Sequence, residues 1–244
     1  MKSRVVSLGV LLAGSLLSAS AAAEQFADNG TFALGVDRIF GYVSYTSGYD
    51  STDTTGAKIS HEDTISNFSL LGRAANLGVD NVGIAQIPRI SFDAVLGPGV
   101  TLGGSAMYDH YSLSNKNAGQ EDPDKLTVGV WLVSPRIGFA KMFTPQIGIW
   151  PRAGITYVHQ STDNPSTNTA TGVTTDYTDS VGELYYTMDV NLIITPVAHL
   201  GFTVGPTFDY LLSHSESHTP PDTTPNSNYK AHALGLQAGI FAWF

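Results

Sequence analysis

A strict two-residue alternation in the last third of the chain constrains the fold more than any other feature. From Leu200 to Leu212 the even positions read Leu200, Phe202, Val204, Pro206, Phe208, Tyr210 and Leu212, and the odd ones Gly201, Thr203, Gly205, Thr207, Asp209 and Leu211. The segment before it repeats the pattern. Leu184, Tyr186, Met188, Val190, Leu192 and Ile194 share one face, and Glu183, Tyr185, Thr187, Asp189 and Asn191 the other. Successive side chains of a strand point to opposite sides, so both segments are two-faced strands. A soluble β-sandwich alternates too. These runs, however, exceed the roughly 5–6 residues usual in soluble sheets and match the roughly 9–11 with which a tilted strand crosses a bilayer. Glycine and isolated charges on the second face suit a barrel lumen.

Composition narrows the class. Charged residues make up 14% of the chain, where about 25% is usual for a soluble domain. There is no cysteine, so disulfides, thiolate metal sites and thiol nucleophiles are excluded. The formal net charge of −9 argues against a nucleic-acid partner. At the N-terminus, Lys2 and Arg4 precede an uncharged apolar run, Val5 to Leu17, and then Ser18-Ala19-Ser20-Ala21-Ala22-Ala23. This is the three-part pattern of a secretory signal peptide cleaved after Ala23, too short for a membrane anchor. Residues 1–23 are therefore expected to be removed and 24–244 to form the barrel domain.

The C-terminal segment alternates as well. Leu234, Leu236, Ala238, Ile240, Ala242 and Phe244 form one face. This resembles the closing strand of Gram-negative outer-membrane β-barrels, whose final aromatic residue is read by the barrel-assembly machinery. The resemblance makes Phe244, with Ala242 and Ile240, the assembly signal, and places the chain in the outer membrane among lipid and lipopolysaccharide. The architecture implied is that of small OmpA/OmpX-like barrels.

Strands are expected near 31–47, 86–97, 100–113, 126–141, 146–160, 181–194, 199–213 and 229–244. Short turns at 97–99, 142–145 and 195–198 alternate with long polar loops at 114–125, 161–180 and 214–228, as in outer-membrane barrels with short periplasmic turns. The fold class is thus an all-β, eight-stranded antiparallel up-and-down transmembrane barrel, with ten strands as the alternative. Thr64 to Leu71 would make a ninth strand and break the even count, so 48–85 reads as a long outer loop on the rim, as a cap, or extending the wall. In the first strand, Phe32, Leu34 and Val36 would be followed on the lipid face by Arg38, a placement costing about 2–4 kcal/mol at the midplane. A β-bulge at Asp37-Arg38 would turn Arg38 inward.

Parity puts Arg89, Asp93, Asp109, Arg136, Arg152, Glu183, Asp189 and Asp209 inside, with Tyr111, Trp150 and Tyr185. An eight-stranded barrel is just wide enough for side chains to fill it. Two readings follow: a plug of paired charges, or a narrow conduit whose excess carboxylates prefer cations. Tyr42, Tyr45, Tyr49, Tyr108, Tyr157 and Tyr210 near upper strand ends, and Phe139, Phe143 and Trp243 near lower ones, suit two interfacial girdles.

Known catalytic motifs are absent, and no cofactor is implied. His214, Glu216 and His218 lie close enough to touch a metal, but lack further ligands and read as a solvated loop. Residues 120–124 do not match an ordered calcium loop. The acidic loops suit divalent cations that also bridge lipopolysaccharide phosphates. His110-Tyr111-Ser112 resembles the His-x-Ser element of outer-membrane lipid A deacylases, which implies Ser112 as nucleophile and His110 as its base, without an assignable acidic partner. The expected role is non-enzymatic, structural or surface-binding, with a cation pore and a lipid A enzyme as alternatives. Oligomeric state is not legible.

Overall fold

The computed structural model describes residues 26–52, 58–70, 87–115, 124–168, 173–219 and 228–244. Residues 1–23, expected to be a signal segment, lie outside them. The described residues form ten strands: β1 (Phe32–Thr52), β2 (Lys58–Leu70), β3 (Arg89–Val95), β4 (Val100–Asn115), β5 (Asp124–Phe139), β6 (Lys141–Met142), β7 (Ile147–Asn168), β8 (Val173–Val197), β9 (Leu200–Thr219) and β10 (Asn228–Trp243). All pairings are antiparallel, and β10 pairs back onto β1. The sheet closes as a ring of eight strands.

Ten elements give eight positions because two are continuations. The two-residue β6 extends β5 along β7. β2 and β3 occupy the same side of β1 at successive heights: β3 pairs Phe32 to Asp37, and β2 pairs Phe40 to Thr52. The second stave is therefore split. This corrects the assignment of 48–85 as one outer loop: β1 runs on to Thr52, and 58–70 extend the wall. The hairpin is held by an unbroken ladder, by Thr46–Thr64 and Ser60–Asp50 hydrogen bonds of 3.0 and 2.9 Å, and by an edge-on Phe40–Phe68 contact at 5.1 Å. The supposed outer loops are corrected likewise. β7, β8 and β9 reach Asn168, Val173 and Thr219, because their Ser- and Thr-rich arms suit two solvated faces and keep pairing beyond the membrane.

The bulge lies where Arg38 demands it. The β1–β10 register shifts between Val36 and Phe40, Arg38 has φ 59°, and both Asp37 and Arg38 are buried. The lower turn after β3 uses Gly99 at φ +81°, a conformation that favours glycine.

Below the strands, the N-terminal segment folds back into the lumen. Phe26 packs against Trp150, Phe241 and Trp243 at ring separations of 4.9, 4.7 and 6.0 Å. Trp150 donates to Thr101 Oγ1 at 3.0 Å. Trp243 is thus part of an interior aromatic stopper, not the lower girdle, because its odd position faces inward beside Phe241. Phe26→Ala is expected to lower unfolding stability by about 3 kcal/mol. Urea titration of the refolded chain in detergent micelles, followed by tryptophan fluorescence, checks this.

Candidate functional site

Above the aromatic stopper lies an ionic layer built by six strands. Four arginines, Arg38, Arg89, Arg136 and Arg152, and four aspartates, Asp37, Asp93, Asp189 and Asp209, are all buried. Arg38 Nη1 and Nη2 donate to Asp209 Oδ2 and Oδ1 at 2.9 and 3.2 Å, and Nη2 also reaches Thr207 Oγ1 at 3.0 Å. Arg136 forks onto Asp93, with Nε to Oδ1 at 3.0 Å, and its Nη1 meets Asp37. Arg152 lies 3.5 Å from both Asp37 and Asp189, and its guanidinium stacks 4.6 Å from the Trp150 ring centroid. Glycines make room: a Cβ at Gly103 would sit 2.5 Å from an Asp93 carboxylate oxygen, and one at Gly138 2.8 Å from Arg152 Cγ. Buried charges are tolerated only when paired and hydrogen-bonded, and here the formal charges balance.

A hydroxyl chain continues upward, Ser134–Thr156 at 2.7 Å, Thr156–Thr187 at 2.8 Å and Thr187 to Asp209 at 2.7 Å. Over it sits an apolar layer of inward side chains, including Val43, Val128, Val130, Leu132, Val158 and Leu211. The lumen is filled at three levels.

Six of the eight residues assigned to a lumen charge network meet in the ionic layer: Arg89, Asp93, Arg136, Arg152, Asp189 and Asp209. Asp109 and Glu183 do not. Each lies six residues along its strand from the layer, Asp109 from Gly103 beside Asp93 and Glu183 from Asp189, about 20 Å of extended chain. Both face inward at the outer mouth, where Asp109 pairs with buried Val130 and Glu183 with His214. Asp37 is the partner that parity overlooked. Trp150 and Tyr185 are buried inside, and the Tyr111 side chain lies outside the described residues. Tyr45 is a correction: it faces in, with its hydroxyl 3.0 Å from that of Tyr229, because odd positions of β1 point inward above the bulge. Tyr49 shares that parity and packs against His61.

His110 and Ser112 sit exposed on the outward face of β4, opposite Gly129 and Thr127 of β5. His214 and Glu216 belong to β9, not to a loop, and approach to 2.7 Å. The side chain of His218 and residues 120–123 lie outside the described residues. Among those described, no three His, Asp or Glu groups are placed to hold a metal. At the lower end, Phe32 and Phe244 exchange backbone hydrogen bonds of 2.8 and 3.0 Å, closing β10 onto β1, while Ile240 and Ala242 pair with Val36 and Leu34 on the outward face.

The outer wall is apolar all round. Leu34, Ile90, Phe92, Leu102, Ile137, Leu192 and Leu236 are exposed, Ile90 at 67%. Tyr108, Trp131 and Tyr210 stand toward the outer end and Phe139, Phe143 and Phe244 toward the lower. A continuous greasy belt between aromatic rims has no stable place in water, and is what a bilayer solvates. The chain is a small outer-membrane β-barrel.

No family model matches the sequence, and no curated protein matches it. Solved structures do. The Escherichia coli outer membrane protease OmpT is similar with a TM-score of 0.44 at 11% identity, over 91% of this chain and 98% of that one. A major outer membrane protein of Thermus thermophilus gives 0.40 at 13%, over 84% and 98%. Ail, the attachment invasion locus protein of Yersinia pestis, solved with a heparin analogue, gives 0.36 at 12%, over 88% and 99%. Likeness at this level gives no residue-by-residue correspondence.

Breaking one partner of the ionic layer strands a buried charge. Arg38→Met and Asp209→Asn are each expected to destabilise by about 3–5 kcal/mol, and the double variant by less than their sum. Denaturant unfolding in micelles, read as a double-mutant cycle, measures this.

Proposed function

We propose that this barrel is a sealed, non-enzymatic surface protein whose outer vestibule binds cationic ligands. The observation that carries the reading is the sorting of charge along the lumen. Arg38, Arg136 and Arg152 are paired with aspartates in the ionic layer, and Arg89 is buried at the same level. Above it, histidines aside, the inward-facing titratable groups of the described residues are mainly acids: Asp63 opposite buried Ser47 on β1, Asp109 opposite Val130, and Asp179 and Glu183 on the inward face of β8, with Glu216 following His214 on β9. Among the described residues no Lys or Arg faces this space: Lys58 and Lys230 lie on the outward parity, Lys230 against Asp50 at 2.8 Å. Carboxylates gathered around one mouth attract cations. The three filled levels below leave such a ligand no open path, which supports binding over transport. Lipopolysaccharide around the belt and insertion by the assembly machinery belong to the same reading.

Fluorescent tetralysine is expected to bind the refolded chain with an affinity that falls as salt rises. Asp63→Asn, Asp109→Asn and Asp179→Asn combined should weaken it about tenfold or more, while Asp163→Asn, on the outward face of β7, leaves it unchanged. Binding indifferent to salt and to the triple variant would refute the vestibule reading. Fluorescence anisotropy in micelles supplies the measurement.

A further inference from the structure

The vestibule floor holds one imidazole between two carboxylates. Glu183 on β8 and His214 on β9 are directly paired across the ladder. His214 Nδ1 lies 3.2 Å from Glu183 Oε1, and its Nε2 lies 2.7 Å from Glu216 Oε1. A neutral imidazole carries one N–H and would turn the other nitrogen's lone pair toward a carboxylate. An imidazolium donates to both, as two charge-assisted bonds. The geometry is that of the protonated ring.

Its surroundings make the ring a junction. The face of His214 packs on Tyr229 of β10 at 4.4 Å, and Tyr229 shares its hydroxyl with Tyr45 of β1 at 3.0 Å. Tyr185 on β8 donates to Glu183 Oε2 at 2.8 Å. The β8–β9 register shifts one step below, between Leu184 and Tyr185. The paired arms of β8 and β9 that stand above the membrane are therefore pinned at this rung. His61 on β2 also faces the vestibule, 2.8 Å from Asp63.

We propose that His214 is a proton-operated lock on the vestibule: protonated, it occupies Glu183 and Glu216 and fastens the β8–β9 arm; deprotonated, it releases a carboxylate to a cationic ligand. This rests on the vestibule reading and adds its regulation. Burial alone would lower the ring's pKa; the hydrogen bonds it donates to Glu183 and Glu216 outweigh it and raise it above the ordinary 6.5. A raised histidine gives stability that is full below the unfolded value and lost as pH rises through the folded one. The lock is thus closed at pH 5 and open at alkaline pH.

The test uses the refolded full chain in micelles with two readouts. In the first, the His214 ring signal is titrated by NMR; it should titrate above the ordinary histidine range, and Glu183→Gln and Glu216→Gln should each bring it down. In the second, tetralysine affinity is measured at pH 5 and pH 9. It should be about tenfold tighter at pH 9, with the difference abolished by His214→Gln and kept by His110→Gln, on the outward face of β4. A His214 ring that titrates at or below the ordinary range overturns the lock. So does tetralysine binding whose pH dependence survives His214→Gln, or binding equal at both pH values, which leaves the acidic vestibule standing. Absence of binding at both pH values overturns the vestibule reading and, with it, the ligand control claimed for the lock.

Discussion

Four buried guanidinium groups in a barrel eight strands wide set the terms for everything else. A lone charge in that interior is untenable, so each arginine requires aspartates within reach, and those aspartates come from β1, β3, β8 and β9. Arg38 reaches them only because β1 gives up regular geometry, adopting φ 59° at that residue. Glycines at 103 and 138 recede to admit the groups opposite. The layer ties non-neighbouring staves together and so does the work of a core in a fold whose main apolar surface faces lipid. Holding the inner arginines at its own level, it also leaves the mouth acidic.

The split second stave follows from the same place. β2 ends opposite Phe40 and β3 begins opposite Asp37, so the break falls at the bulge. Below it β3 fills the second stave and above it β2 lies on the same side of β1, while β4, β5, β7, β8, β9 and β10 keep pairing past that level. Glu183, His214 and Glu216 are thereby carried in register on ladders rather than on irregular loops.

Much of the wall was legible in the sequence because period two survives wherever one face meets lipid. The eight-stave count, the turn at 97–99, the inward aspartates and the displaced Arg38 all follow from parity and from the cost of a charge in hydrocarbon. What escaped has physical causes. Thr64 to Leu71 carries a strand pattern that an even count excludes, because nothing in it shows that β2 and β3 share one side of β1. Phe26 precedes the first strand and carries no periodic signal, yet it fills the lower lumen. Val128, Val130 and Leu132 hide in β5 because both its faces are apolar. Height along the axis was the missing coordinate: parity told that Asp109 and Glu183 face inward, but not that they lie above the ionic layer, in the vestibule.

The claim on which the account turns is that the lumen is closed by its own side chains. Single-channel recording of the refolded chain in a planar bilayer tests it most directly. A folded, inserted barrel is predicted to stay silent, with no conductance steps. Stable, cation-selective steps from the folded protein would contradict the sealed interior and make passage through the ionic layer, rather than binding above it, the function to explain.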